Sequence, residues 1–286
     1  MATVRLTQTL TFLSLLGVGC AAAPAAGIDT ATTPRPSIRA HDLVHADAAS
    51  RAAADHAPTT VEIARRAGRM AVFVRSGEAY GAGVLLDDDG HVLTCDHVLM
   101  DGDSVSVRFE GEPDAITATV VDRDPALDLA LLAIDEGAPT WAQPATAHGL
   151  GSVVELERGQ TVYAMGSPRR MSFSFNQGMV SFSGRSFDDV SFLQTDLPMS
   201  PGSSGGPVLD DRGRLIGLAS FIIENGRGLS FAIPVEYALE RFSATLGRHT
   251  DATRLTAFRR WRRDDEATPV DPSPHRTKAT VSSTMP

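Results

Sequence analysis

The chain has 286 residues, 42% hydrophobic and 21% charged, enough apolar content for one large or two small globular domains and too little charge for a disordered chain. Its 35 acidic against 26 basic residues give a formal net charge of −9 with no basic stripe mid-chain, which argues against a nucleic-acid binder that works by neutralising phosphates. Two cysteines, Cys20 and Cys95, exclude a disulfide-rich scaffold and a four-cysteine zinc site, and no stretch after residue 20 has the 18 consecutive apolar residues of a membrane span.

In chain order, residues 1–20 read as an export signal: Arg5, an apolar run from Leu10 to Val18 broken by Thr11 and Ser14, then small residues around Cys20. Leu16-Gly17-Val18-Gly19-Cys20 resembles the lipobox of bacterial lipoproteins, which implies lipidation at Cys20, although Gly17 stands where that motif usually has leucine. Cleavage after Ala25 by an ordinary signal peptidase is the alternative. Either route places the chain in the bacterial cell envelope, in the periplasm or anchored to a membrane, and leaves Cys95 as a buried small apolar residue. Residues 21–60, rich in Ala, Thr and Pro, read as a flexible tether. His41 and His45 within it have the spacing of one helical turn but no third ligand, so they are not a metal site.

From Val61 short apolar and β-branched runs alternate with Gly, Asp and Pro. The first series is Ala71 to Val74, Gly83 to Leu86, His91 to Thr94, Val105 to Phe109, Ile116 to Val121 and Leu129 to Ile134; the second is Thr161 to Met165, Gly178 to Phe182, Val190 to Gln194, Val208 to Leu209, Leu215 to Phe221 and Leu229 to Ile233. Two sets of six predict an all-β chain of two modules, about 66–145 and 150–235, within a domain spanning 61–248. Pro234 to about Arg248 has helical spacing and would pack on the second module. Residues 249–286 read as an arginine-rich stretch around Trp261 and a disordered tail.

Three segments carry chemistry. In Pro201-Gly202-Ser203-Ser204-Gly205-Gly206-Pro207, glycines let backbone N–H groups crowd around a serine, as an oxyanion hole requires. With Ser204 as nucleophile, its own N–H and that of Gly202 can donate; with Ser203 the donor would be Pro201, which has no N–H. His97 lies between apolar residues at a strand exit, where a general base can be held rigidly, whereas His91 sits beside the Asp87-Asp88-Asp89-Gly90 turn, read as a solvated hairpin tip. Asp128 is set in an apolar run, costly to bury unless a partner such as a histidine N–H meets it; Asp96, adjacent to His97, is badly placed for that.

The order His97, Asp128, Ser204 is that of the chymotrypsin type. Gly81-Ala-Gly-Val, Leu93-Thr-Cys-Asp-His-Val, Asp128-Leu-Ala-Leu-Leu, Gln194-Thr-Asp, Pro201-Gly-Ser-Ser-Gly-Gly-Pro and Phe231-Ala-Ile-Pro are similar, in order, to the blocks of the bacterial HtrA/Deg branch of the trypsin-like serine endopeptidases. The resemblance implies two six-stranded antiparallel β-barrels with the triad in the cleft between them, no metal or organic cofactor, and protein or peptide substrates. It departs at Ser203, where asparagine is usual, and after residue 250, where no PDZ domain is legible. That second departure leaves PDZ-gated activation and the oligomeric state open.

By the same resemblance, the pocket for the residue before the scissile bond comes from Leu197, Pro198, Met199 and Ser200 and from Ala219, Ser220, Phe221 and Ile222. Pro198 occupies the position at which trypsin-type enzymes place a carboxylate, six residues before the nucleophile, so a cationic side chain would lack a partner. An apolar pocket narrowed by Met199 and Phe221 implies small or medium aliphatic residues. A catalytically silent protease-fold scaffold is the rival reading; an esterase of the G-x-S-x-G type is excluded by the triad order and the strand-only pattern.

Overall fold

The structure, a computed structural model, describes residues 57–100, 104–167, 173–223, 229–265 and 276–278. The signal-like segment with Cys20, and His41 and His45 in the tether, lie outside the described residues.

Six strands, β1 (Ala71–Ser76), β2 (Ala79–Leu85), β3 (His91–Thr94), β4 (Val105–Phe109), β5 (Ile116–Asp124) and β6 (Leu129–Ile134), close a barrel in the order β1-β2-β3-β6-β5-β4. Along β4, Val105, Val107 and Phe109 are buried and Ser106 and Arg108 are not, the period-two pattern of a strand with one wet face. All seven residues of β2 are buried. One of its faces fills the barrel, and its backbone meets the serine loop, where Ala82 N–H donates to the Ser204 carbonyl at 2.8 Å.

The second barrel is formed by β7 (Thr161–Gly166), β8 (Ser174–Phe187), β9 (Val190–Thr195), β10 (Pro207–Leu209), β11 (Leu215–Ile223) and β12 (Ser230–Pro234). The order β10-β7-β8-β9-β12-β11 is closed by the pairing of β10 with β11. Its core holds an aromatic cluster in which Phe221 stacks on Phe231 at 4.7 Å and Phe187 meets Phe231 edge-on at 5.2 Å. A seventh strand, β13 (Arg276–Lys278), pairs antiparallel with Phe221 to Ile223 of β11. The two-barrel architecture is the one the strand spacing predicts.

The helices depart from expectation. The spacing does not foretell α1 (Thr60–Met70), because only Ile63, Ala67 and Met70 form its buried stripe among arginines and a glycine. A reciprocal capping box of Thr59 and Glu62 starts it, and Thr60 Oγ1 at 3.2 Å from the Tyr163 hydroxyl ties it to the second barrel. The single helix expected over 234–248 is two, α2 (Val235–Arg241) and α3 (Ser243–Leu246), broken at Phe242. The arginine-rich stretch forms α4 (Ala252–Asp265), which docks through Phe258 edge-on to Tyr237 at 4.9 Å and through Trp261 Nε1, which donates to Ser183 Oγ at 3.0 Å. Apolar residues at every third position suffice for that contact, whatever the charge around them.

The acidic turn read as solvated is only partly so. Asp87 is buried and accepts from His91 Nδ1 at 2.8 Å, and its carboxylate also meets Arg248 and His249 from the segment after α3. Desolvation is offset by these three partners, two of them distant in sequence.

Glu236, in the first turn of α2, is fully buried; its Oε1 accepts from Ser152 Oγ at 2.6 Å and from Val153 N–H at 3.2 Å, while Oε2 has no partner among the described residues. Burial raises its pKa above the usual carboxyl value of 4.5. A carboxyl raised in the folded state contributes fully below its unfolded pKa, and that contribution is lost as pH rises through the folded value. Glu236→Gln is therefore expected to leave stability unchanged near pH 4 and to raise it at pH 8. Denaturant melts across that range check this; a variant that loses stability equally at both pH values would show that the carboxyl acts only as a hydrogen-bond acceptor.

Candidate active site

His97 follows β3 in a short 3-10 turn, Asp96–Val98, that brings the imidazole back over the barrel end. Asp128 sits between β5 and β6 with φ of 56°, a left-handed conformation that aspartate tolerates better than most side chains and that is retained where tertiary contacts hold it. Its carboxylate accepts from the His97 backbone N–H at 3.0 Å, from His97 Nδ1 at 2.8 Å and from Ser220 Oγ at 3.1 Å. Several donors converging on one carboxylate stabilise the charge in an apolar surrounding. A carboxylate only accepts, so Nδ1 carries the proton, and in the neutral ring Nε2 is left as the basic nitrogen. Nε2 is sealed from solvent and has no hydrogen-bond partner among the described residues. Asp96 is engaged elsewhere, accepting from Arg123 Nε at 2.6 Å.

Ser204 is buried in the loop before β10. Two glycines shape that loop: Gly202 at φ +97° and Gly205 at φ +85°, where a Cβ would overlap the carbonyl oxygens of Ser167 and Ala82 respectively. Ser204 Oγ donates to the Ser220 carbonyl at 3.0 Å. Ser220 thus touches two of the candidate residues, Asp128 through its hydroxyl and Ser204 through its carbonyl. The sequence marks Ser220 only as a pocket residue, because its hydroxyl meets Asp128 across 92 residues of chain. Ser203 N–H and carbonyl are used inside the turn, with Ser200 and Gly206.

The residues named for the substrate pocket separate. Ser220 and Phe221 line a recess of about 210 Å³ with Asp128, Pro125, Phe187 and Phe192. Pro198 and Met199 do not line it: Pro198 is exposed and Met199 packs half-buried against the core. Phe187 and Phe192, from β8 and β9, wall that recess and read in the sequence as ordinary core aromatics.

Residues 81–218 match the family described as trypsin-like peptidase domain. The match covers just under half of the chain. It is 36% identical over 172 residues to a probable periplasmic serine endoprotease, DegP-like, of Pseudomonas fluorescens, and 38% identical over 173 residues to that of Ectopseudomonas mendocina. In both comparisons 58% of this chain is covered, and the chain spans about 35% of the length of the relative. Among solved structures it is similar to an HtrA-type protease AlgW with a tripeptide: TM-score 0.59, 28% identity, covering 66% of this chain and 64% of that one. The matched stretch contains all three candidate residues, His97, Asp128 and Ser204.

Proposed function

We propose that the chain is an exported serine endopeptidase that cleaves proteins through an acyl-enzyme, with Ser204 as nucleophile, His97 as general base and then acid, and Asp128 holding the ring. The observation that carries the reading is the buried chain of contacts from His97 Nδ1 through Asp128 to Ser220 and on to Ser204 Oγ. To attack, Ser204 Oγ leaves the Ser220 carbonyl by a rotation about χ1, a step between staggered wells, and presents its proton to His97 Nε2. The Oγ–carbonyl carbon bond forms as that proton moves to Nε2, and the N–H groups of Gly202 and Ser204 receive the oxyanion. His97 then protonates the leaving amine, and water repeats the sequence to free Ser204. No cofactor enters these steps.

One observation favours a second reading, a catalytically silent scaffold: Ser204 Oγ is bonded to Ser220 and not to His97. Digestion of an unfolded protein by the purified chain, with the new C-termini sequenced, separates the two. Cleavage chiefly after Val, Ala, Ile or Leu is expected, with discrimination among them of roughly tenfold to a few hundredfold per methylene. Cleavage chiefly after Arg, Lys, Asp or Glu would refute the pocket assignment, and no cleavage by folded protein would favour the scaffold.

Export to the periplasm is supported by the names of the DegP-like relatives. Anchoring through Cys20 is a separate part of the proposal. Cys20→Ala is expected to abolish fatty-acid incorporation and membrane fractionation together; a soluble mature protein beginning near Ala26 would decide for ordinary signal-peptidase cleavage.

A further inference from the structure

Where α1 meets the connection between the barrels there is a recess of about 290 Å³, lined by Glu62, Arg65, Arg66, Arg69, Gln143 and His148. None of the catalytic candidates lines it. The three arginines fall on adjoining turns of one helix at the i, i+1 and i+4 positions, a spacing at which like charges repel. None of the three has a carboxylate within ion-pair distance among the described residues, although the chain as a whole is acidic. The single acid of the recess, Glu62, lies within electrostatic reach of Arg65 and Arg66 but is tied to the helix start, where its Oε2 accepts from the backbone N–H and hydroxyl of Thr59 at 2.7 and 2.9 Å, and it leaves the three arginines in net excess.

The walls are held in place by the backbone. Arg66 Nη1 donates to the Arg212 carbonyl at 3.1 Å, which joins α1 to the β10–β11 turn, and Gln143 N–H donates to the Arg69 carbonyl at 3.1 Å. His148 adds a ring nitrogen, Nε2, that is sealed from solvent and has no partner among the described residues. Its pKa is lowered by burial and by the adjacent Arg66 and Arg69, so the ring is an extra neutral donor or acceptor within a cationic wall. Unpaired cations gathered at a held site, together with an unused buried polar atom, is an arrangement that an oxyanion would complete.

We propose that this recess binds a phosphate group, carried by a small soluble phosphate ester or by an anionic lipid headgroup. A carboxylate would satisfy one guanidinium fork, whereas the three peripheral oxygens and near-double charge of a phosphate match three arginines. Such a ligand would bridge α1 to the connection that carries Gln143 and His148, leaving the serine loop open.

Calorimetric titration of the mature chain with sodium phosphate and with glycerol 3-phosphate, against sodium chloride of equal ionic strength, tests the soluble source. Co-sedimentation with vesicles containing phosphatidic acid, whose headgroup is a phosphate monoester, against phosphatidylcholine alone, tests the membrane source. Arg65→Gln/Arg69→Gln neutralises two forks and keeps the Arg66 clip, and Arg69→Gln alone serves if the double variant does not fold. Saturable binding in one of the two arms is expected, weakening with salt and falling at least about tenfold in the variants. Binding to the soluble phosphates alone assigns a soluble ligand, and sedimentation with phosphatidic acid alone assigns a headgroup. No binding in either arm, or binding that the variants leave unchanged, overturns the proposal.

Discussion

Ser204→Ala is expected to lower kcat by about 10⁶ with KM little changed, the scale on which loss of the nucleophile acts in enzymes of this chemistry. The substitution removes one oxygen from a buried site, where among the described residues it donates to the Ser220 carbonyl, so the fold should survive it. Labelling by a fluorophosphonate probe reads the same atom and should disappear completely. A His97→Ala/Ser204→Ala double variant should be about as impaired as either single one, because the two side chains act as a unit. Labelling or cleavage that persists in Ser204→Ala would place the nucleophile elsewhere, with Ser203 the first candidate. Labelling of the unsubstituted protein without protein cleavage would mean that Ser204 reacts but the substrate geometry is wrong.

The second large effect is expected at Asp128. Asp128→Asn should cost about 10⁴ in kcat, the magnitude that follows when the base is held in the wrong tautomer. The structural reason lies in the donors gathered there: His97 N–H, His97 Nδ1–H and Ser220 Oγ–H all point at the carboxylate. An amide offers one acceptor oxygen and an NH₂ that would face at least one of those donors, so the ring is driven to place its proton on Nε2, where no base is left for Ser204. Ser220→Ala removes one donor only and should cost roughly ten- to a hundredfold, the worth of a hydrogen bond to a charged group. Nearly equal effects at Asp128 and Ser220 would mean that the carboxylate serves as local scaffolding. A fall in KM without a fall in kcat at Asp128 would remove its role as orienter of the imidazole.

The candidate residues were legible in the sequence to different degrees. Ser204 could be separated from Ser203 by chemistry alone, since Pro201 lacks the N–H that a serine at 203 would need. His97 and Asp128 drew attention as a histidine at a strand exit and a carboxylate in an apolar run. Ser220 was legible only as a position in a strand; its double contact depends on β11 lying against both the β5–β6 turn and the serine loop. Pro198 and Met199 are placed at the pocket by the family resemblance alone; in the structure Pro198 is exposed, Met199 packs half-buried against the core, and neither lines the recess beside Asp128 that Phe187 and Phe192 wall.

By itself the amino-acid sequence determined the strand-rich architecture, the two-module division and the identity of the glycine turn, because these depend on local periodicity and on residues whose backbone preferences are strong: apolar residues alternating with polar ones, as at Val105, Val107 and Phe109, and glycines at φ values that other residues avoid. Helices with sparse apolar stripes, such as α1 with Ile63, Ala67 and Met70, stayed hidden because their stability comes from docking onto barrels and not from their own propensity. The tertiary structure alone decided the long-range pairings: Asp87 with Arg248 and His249, Glu236 with Ser152, and Ser204 with the Ser220 carbonyl. Each of these joins groups far apart in sequence, and a buried polar atom takes its partner from whatever chain closure brings within 3 Å, which no local pattern encodes.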